Sequence, residues 1–326
     1  MRVLMEHAPS INWALAHRVS GWRPDDLPQL SSHELTMLVA DLRVTARRAG
    51  EIAARHLGID AVGATRIRVV DWDGWGRAVE SMAGSAIAEL DLPASTGVGA
   101  TLTGARNGAL LGVGMRAVSR RLLGQYDAFT GSDALYLVAP TIVAHERRLG
   151  FKPAHFRLWV ALHEQTHALQ FRLAPWLREY LAARMKVVLD DEVSTGDGLL
   201  RWARTRDLAA LFTSEQAGEA LKELSAAMTF LEGHADFVSD AAGRLHASSI
   251  PAMRKAFARP EGTGFLGRLS KSFDKNAQYR DGLEFCRRVQ RLRTRSSLKA
   301  AFAEPANLPT AEEIADPPLW MKRVHG

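Results

Sequence analysis

The stretch LWVALHEQTHALQF, residues 158–171, sets His163 and His167 four residues apart with Glu164 beside the first. On an α-helix, residues i and i+4 lie one above the other on the same face, so both imidazoles can point at one metal ion. Glu164 lies one position round the helix, beside such an ion rather than on it. A carboxylate there is suited to take a proton from a water that the ion activates, which is the logic of H-E-x-x-H helices. Two core histidines produce the same spacing by chance, so the rest of the chain must decide.

Zinc sites that do chemistry use three protein ligands and keep a fourth position open. The metzincin extension needs Gly at 170 and His at 173; these positions are Gln170 and Leu173, which excludes that class. The gluzincin pattern instead takes a glutamate from a later helix, followed four residues on by an aspartate. TFLEGHADFVSD (229–240) supplies Glu232 and Asp236, 65 residues after His167. Glu232 is the expected third ligand, with apolar flanks in Phe230, Leu231, Phe237 and Val238. Asp236, one turn further, is placed to accept a hydrogen bond from a ligand histidine and fix its tautomer. His234 is two residues from Glu232, about 200° round a helix, so the two do not share an ion. It is expected to pack on the opposite face, or else to donate to a developing oxyanion. Tyr126 and Tyr180 are other candidate donors. His145 and His155 precede the helix and read as surface residues.

The composition bounds what surrounds this constellation. At 326 residues, 47% hydrophobic and 24% charged, the chain can bury a substantial core. No window approaches the roughly 18 unbroken apolar residues of a membrane-spanning helix. Glu6 and His7 stand where a secretory signal would be apolar, so a cytoplasmic location is expected. The single cysteine, Cys286, excludes an internal disulfide and a thiolate cluster. Of the net charge of +6, residues 250–300 hold +9, from thirteen Lys or Arg against four acids. CRRVQRLRTRSSLK therefore predicts a basic helix, read either as a solvated face or as a contact for nucleic acid or an anionic surface.

Helical spacing dominates the elements that must position the site. LSSHELTMLVADLRVTARRAGEIAARHLG predicts a helix capped at Ser31 or Ser32 and stopped by Gly58. TRIRVVDWDGW (65–75) predicts a strand ending in an Asp-Gly turn, and ALYLVAP (134–140) a second strand stopped by Pro140. Between them Gly104, Gly108 and Gly112 recur every four residues, on one helical face where another backbone can approach. GVGATL is not a dinucleotide loop, because Leu102 stands where the third glycine must be. From 154 onward helices follow one another. Pro175 opens the one after the His163 helix, and LLRWARTRDLAALF forms a short one. A Thr213–Gln216 capping box heads a long helix to about His246. The proline-rich tail reads as an extended strap. Three regions are expected, 1–150, 151–250 and 251–326, or one continuous unit.

Four segments, FRLWVALHEQTHALQF, LEGHADFVSD, LLGQYDAF and ALYLVAP, together resemble the actinobacterial DUF2342 (zincin_2) family of zinc-dependent metallopeptidases. Some members of that family are linked to coenzyme F420 biosynthesis. The likeness runs from RVVDWDGW to the tail. It implies a mainly α (α+β) fold: a zincin-like core with a small β-sheet, an active-site helix carrying His163, Glu164 and His167, and a later helix carrying Glu232. Position 234 is often tyrosine in similar sequences and is histidine here. The expectation is a peptidase holding one Zn²⁺ per chain on His163, His167 and Glu232, with Glu164 as general base and a peptide or protein as substrate. ALYLVAP is the expected sheet edge for an extended substrate. The alternatives are a catalytically silent, zinc-stabilised scaffold or binding protein, or a binder of anionic partners through residues 250–300.

Overall fold

Three short strands interrupt a chain of helices in the computed structural model, which describes residues 10–21, 29–88, 98–119, 122–189, 214–257 and 275–326. In chain order the elements are α1 (Trp13–Ser20), α2 (Ser32–Leu57), β1 (Arg66–Val70), α3 (Trp72–Ala88), α4 (Val98–Ser119), β2 (Gly124–Tyr126) and β3 (Ala134–Val138). They continue as α5 (Ala139–Leu149), α6 (Pro153–Leu173), α7 (Leu177–Leu189), α8 (Glu215–Gly243), α9 (Ile250–Phe257) and α10 (Lys275–Leu292). Two 3-10 segments, Arg295–Phe302 and Pro305–Asn307, precede α11 (Ala311–Ala315) and α12 (Pro317–His325). This is the mainly α architecture with a small sheet that the family resemblance implied. No helix among the described residues is long and apolar enough to cross a membrane.

Two compact units divide these elements. The first comprises the described parts of His7–Arg172 and Val238–Gly262. Its sheet has the order β1-β3-β2. β1 runs parallel to β3 from Arg66↔Ala134 to Val70↔Val138, and β2 runs antiparallel to β3 from Gly124↔Leu137 to Tyr126↔Leu135. The strand from ALYLVAP is thus the centre of the sheet, not its edge. Its nearly unbroken apolar run suits a strand covered on both faces, and Ala134, Leu135, Leu137 and Val138 are all buried. On one face Val138 joins a cluster with Trp75 and Met115, packed by Trp13, Val70 and Leu111. On the other face α6 reaches the sheet, where Phe171 meets Tyr126 with ring centroids 5.8 Å apart.

Local rules account for most boundaries. Ser31 and Glu34 form the capping box of α2, and Gly58 closes it at φ 62°, a left-handed conformation that glycine adopts without strain. The Asp-Gly pair expected to turn after β1 lies instead in the first turn of α3. The Asp71 carboxylate accepts from Gly74 N–H at 2.7 Å, so an N-terminal cap replaces the turn. Pro140 ends β3 and also opens α5, where its missing N–H costs nothing. The glycines of α4 do admit a neighbouring backbone: Asn12 N–H donates to Gly104 O at 2.9 Å. A methyl group on Gly112 would stand 2.6 Å from Ala16 O, and one on Gly108 would collide with Asn12 O.

The second unit comprises the described parts of Leu173–Phe237 and Thr263–Gly326. α7 begins two residues after Pro175. The cap of α8 is Ser214, whose Oγ accepts from Ala217 N–H at 3.1 Å; Thr213 lies outside the described residues, as does the helix expected over 199–212. α8 ends at Gly243, three residues short of His246. It crosses α10 at two glycines: a methyl group on Gly233 would lie 2.5 Å from Gly282 Cα. α10 buries Leu283, Phe285, Cys286 and Val289 and turns Arg291 outward, paired with Glu284 at 2.7 Å. The tail is no extended strap. Pro305 and Pro317 each sit in a first helical turn, and the fully buried Trp320 donates to Asn307 O at 2.8 Å.

Candidate metal centre

α6 is buried on nearly every side, from Phe156 and Leu158 to Leu169 and Gln170. In its central turns, cover is incomplete at His163, His167 and Phe171, which recur every four residues. The two histidines therefore share the one stripe that packing leaves open. Their Nε2 atoms are 3.2 Å apart, with ring centroids at 4.8 Å and planes at 81°. Two nitrogens bonded to one tetrahedral zinc at 2.0–2.1 Å stand about 3.3 Å apart, so the pair converges as two ligands must. His167 Nδ1 lies 2.9 Å from Gln170 Oε1.

Several contacts hold α6 in place. The buried Gln165 spans two neighbours: its Oε1 accepts from Ala64 N–H at 2.7 Å, and its Nε2 donates to Ala46 O of α2 at 2.9 Å. Trp159 Nε1 donates to Asp240 Oδ1 at 3.0 Å, and Arg254 pairs with Asp240 while stacking over the Trp159 ring at 4.6 Å. Asp240 belongs to the last turns of α8, an unbroken helix that carries Glu232 eight residues earlier. Glu232 is half-buried on that helix. Two imidazole nitrogens and one carboxylate oxygen form a donor set that suits zinc.

Glu164 is 8% exposed and lies against β2. A methyl group on Gly124 would stand 2.8 Å from its Cγ and 2.9 Å from its Cδ, so only glycine leaves room for that side chain. The spacing of H-E-x-x-H could not reveal Gly124 or Gln165, which act across the fold. A lone glycine in a strand-like run was the available signal for the first.

The remaining expected residues are placed as follows. His234 is 2% exposed, with its ring 5.8 Å from Phe230 and 5.1 Å from Phe302. Asp236 is buried and lies close enough to Cys286 to act on it; burial first, then that charge, push the thiol pKa up. Tyr126 OH donates to Asp133 Oδ1 at 3.1 Å, and burial together with the Asp133 charge raises its pKa to about 12. Tyr180 carries the Arg184 guanidinium over its ring at 3.7 Å. His145 is not a surface residue. It is buried, with Nδ1 2.9 Å from Thr141 O and its ring stacked on Phe257. His155 is half-buried against Ser249 Oγ at 2.7 Å.

No curated protein matches the sequence. A solved structure from Chloroflexus aurantiacus, described as that of a presumed hydrolase with a novel fold, is 25% identical with a TM-score of 0.68. The match covers 96% of this chain and 98% of that one. The family model for zincin-like metallopeptidases matches residues 11–321, nearly the whole chain. The protein therefore belongs to the family of zincin-like metallopeptidases.

Proposed function

We propose that this chain is a zinc-dependent peptidase, with His163, His167 and Glu232 holding the metal and Glu164 acting as general base. The reading rests above all on one observation, the convergence of His163 Nε2 and His167 Nε2 to 3.2 Å on a helix that also carries the buried Glu164. Bound Zn²⁺ would act as a Lewis acid on a substrate carbonyl and lower the pKa of water from 15.7 toward about 7. Glu164 takes the proton of the attacking water on its carboxylate and hands it to the leaving nitrogen as the peptide bond breaks. Its burial against Gly124 suits both steps, because bulk water is kept from competing for the proton in transit. Asp236 is assigned to brace a ligand side chain, and His234 to support the helix through its aromatic neighbours.

The substrate edge is β2. Hydrogen bonds at Leu123–Val138 and Asp127–Ala134 flank the strand, so the N–H and C=O groups of Gly124 and Tyr126 point away from β3. An extended peptide adding there would lie alongside Glu164.

Glu164→Gln tests the reading. Zinc content measured by atomic emission should stay at one per chain, while cleavage of a fluorogenic peptide library falls by about 10²–10⁴-fold. Zinc at full occupancy with no cleavage by the wild type supports the scaffold alternative. Absence of zinc from the wild type, with His163→Ala unchanged in stability, overturns the metal site.

A further inference from the structure

Gln170 is completely buried, a costly place for a primary amide unless its hydrogen bonds are made. It stands one turn after His167 on α6, with Oε1 2.9 Å from His167 Nδ1. An amide oxygen only accepts, so Nδ1 must carry the proton and donate it. The lone pair is then left on Nε2, the atom that faces His163 Nε2 at 3.2 Å. Because i and i+3 are neighbours on a helix, the ligand and its brace are carried by one element and stay aligned however α6 shifts.

We propose that Gln170 is the positioning residue for His167: it fixes the tautomer and ring direction that the metal requires. This rests on the zinc reading above. The brace is neutral, unlike the carboxylates that often hold ligand histidines. Two neutral histidines and Glu232 then leave a Zn²⁺ centre with a net charge of +1. That residual charge favours polarising a bound carbonyl over tightest retention of the metal. A carboxylate at 170 would shift the balance the other way, toward retention.

Two measurements test this on the full-length protein. The first is zinc affinity by competition with a chromophoric chelator. Gln170→Leu should weaken binding by about 10–100-fold, the usual cost of losing such a partner. Gln170→Glu, which can still accept from Nδ1, should bind at least as tightly as the wild type. Thermal unfolding of the metal-free variants guards against general damage. The second is long-range ¹H–¹⁵N NMR of histidine-labelled, metal-free protein, which reads the tautomer directly. His167 should be protonated at Nδ1 in the wild type and should lose that preference in Gln170→Leu. Gln170→Leu binding zinc within twofold of the wild type overturns the proposal. So does an Nε2-protonated His167 in the wild type, which decides the matter even where the leucine variant does not fold. Failure of the zinc reading looks different: the wild type and His163→Ala then bind zinc equally poorly, while the tautomer still reports on Gln170.

Discussion

Replacing Gln165 by methionine removes the cross-brace of α6 while keeping length and volume. Two hydrogen bonds disappear, but their costs differ. Ala46 O lies inside α2, where the N–H four residues on still bonds to it, so losing the Gln165 donor costs only the net value of one bond, about 0.5–1.5 kcal/mol. Ala64 N–H has no helix to fall back on and is buried with a residue only 6% exposed. Leaving it orphaned costs about 1–3 kcal/mol. The thioether, buried where an amide was, returns up to about 1 kcal/mol. The net loss is about 0.5–4.5 kcal/mol, centred near 2.5 kcal/mol, or a fall in Tm of several degrees at roughly 2–4 °C per kcal/mol. Urea denaturation followed by far-UV circular dichroism measures the total. Hydrogen exchange at the Ala64 amide measures the local part, which should lose most of its protection. A loss under about 0.5 kcal/mol, with Ala64 still protected, would refute the reasoning.

Two further outcomes follow from the same contacts. Gly108→Ala should destabilise the protein by about 1–3 kcal/mol, because the added methyl meets the backbone oxygen of Asn12, which cannot turn aside. Gly114→Ala on the same helix meets nothing within 4 Å and should stabilise by up to about 1 kcal/mol; equal effects in thermal melts would contradict the one-faced docking of α4. Burial opposes the charge on Asp133, but hydrogen bonds from Thr65, with Arg172 and Tyr126 beside it, outweigh that and hold its pKa below the ordinary 3.8. Its contribution to stability is therefore complete above that value and is lost as pH falls through the lower folded-state pKa. Wild type should exceed Asp133→Asn in Tm near neutrality, with the gap closing below about pH 3.8; a gap that persists in acid would count against the network.

The side chains along α6 divide the labour of building the site. Gln165 ties the helix to α2, Trp159 ties it to the end of α8 through Asp240, and Gln170 meets His167 Nδ1 at 2.9 Å. Arg157 adds a further tie, with Nε 2.8 Å from Glu146 of α5 and Nη1 2.8 Å from Asp41 of α2. A histidine pair on a surface helix would need no such bracing. A pair required to meet a carboxylate from elsewhere in the chain needs its helix fixed in rotation and in register.

What could be read from residue order was whatever depends on short-range geometry. A four-residue spacing stacks His163 on His167 in any α-helix, and a two-residue spacing separates His234 from Glu232 in the same way. Ser31 with Glu34, Gly58, and the glycines of α4 were legible for that reason too, since caps and helix faces are local. The errors came where a residue type has two local uses. Asp-Gly can turn a hairpin or cap a helix, and proline can end a strand or open a helix. At Asp71–Gly74 and Pro317 the choice went to the helix, while Pro140 served both uses. Tertiary structure alone decided the rest. Which strand lies at the sheet edge depends on pairing between residues far apart, so β2 rather than β3 took that place. The same holds for the room that Gly124 leaves for Glu164 and for the bridge from Gln165 to Ala64, a contact spanning 101 residues. No spacing rule reaches that far, because the chain between has many ways to fold and only packing selects one.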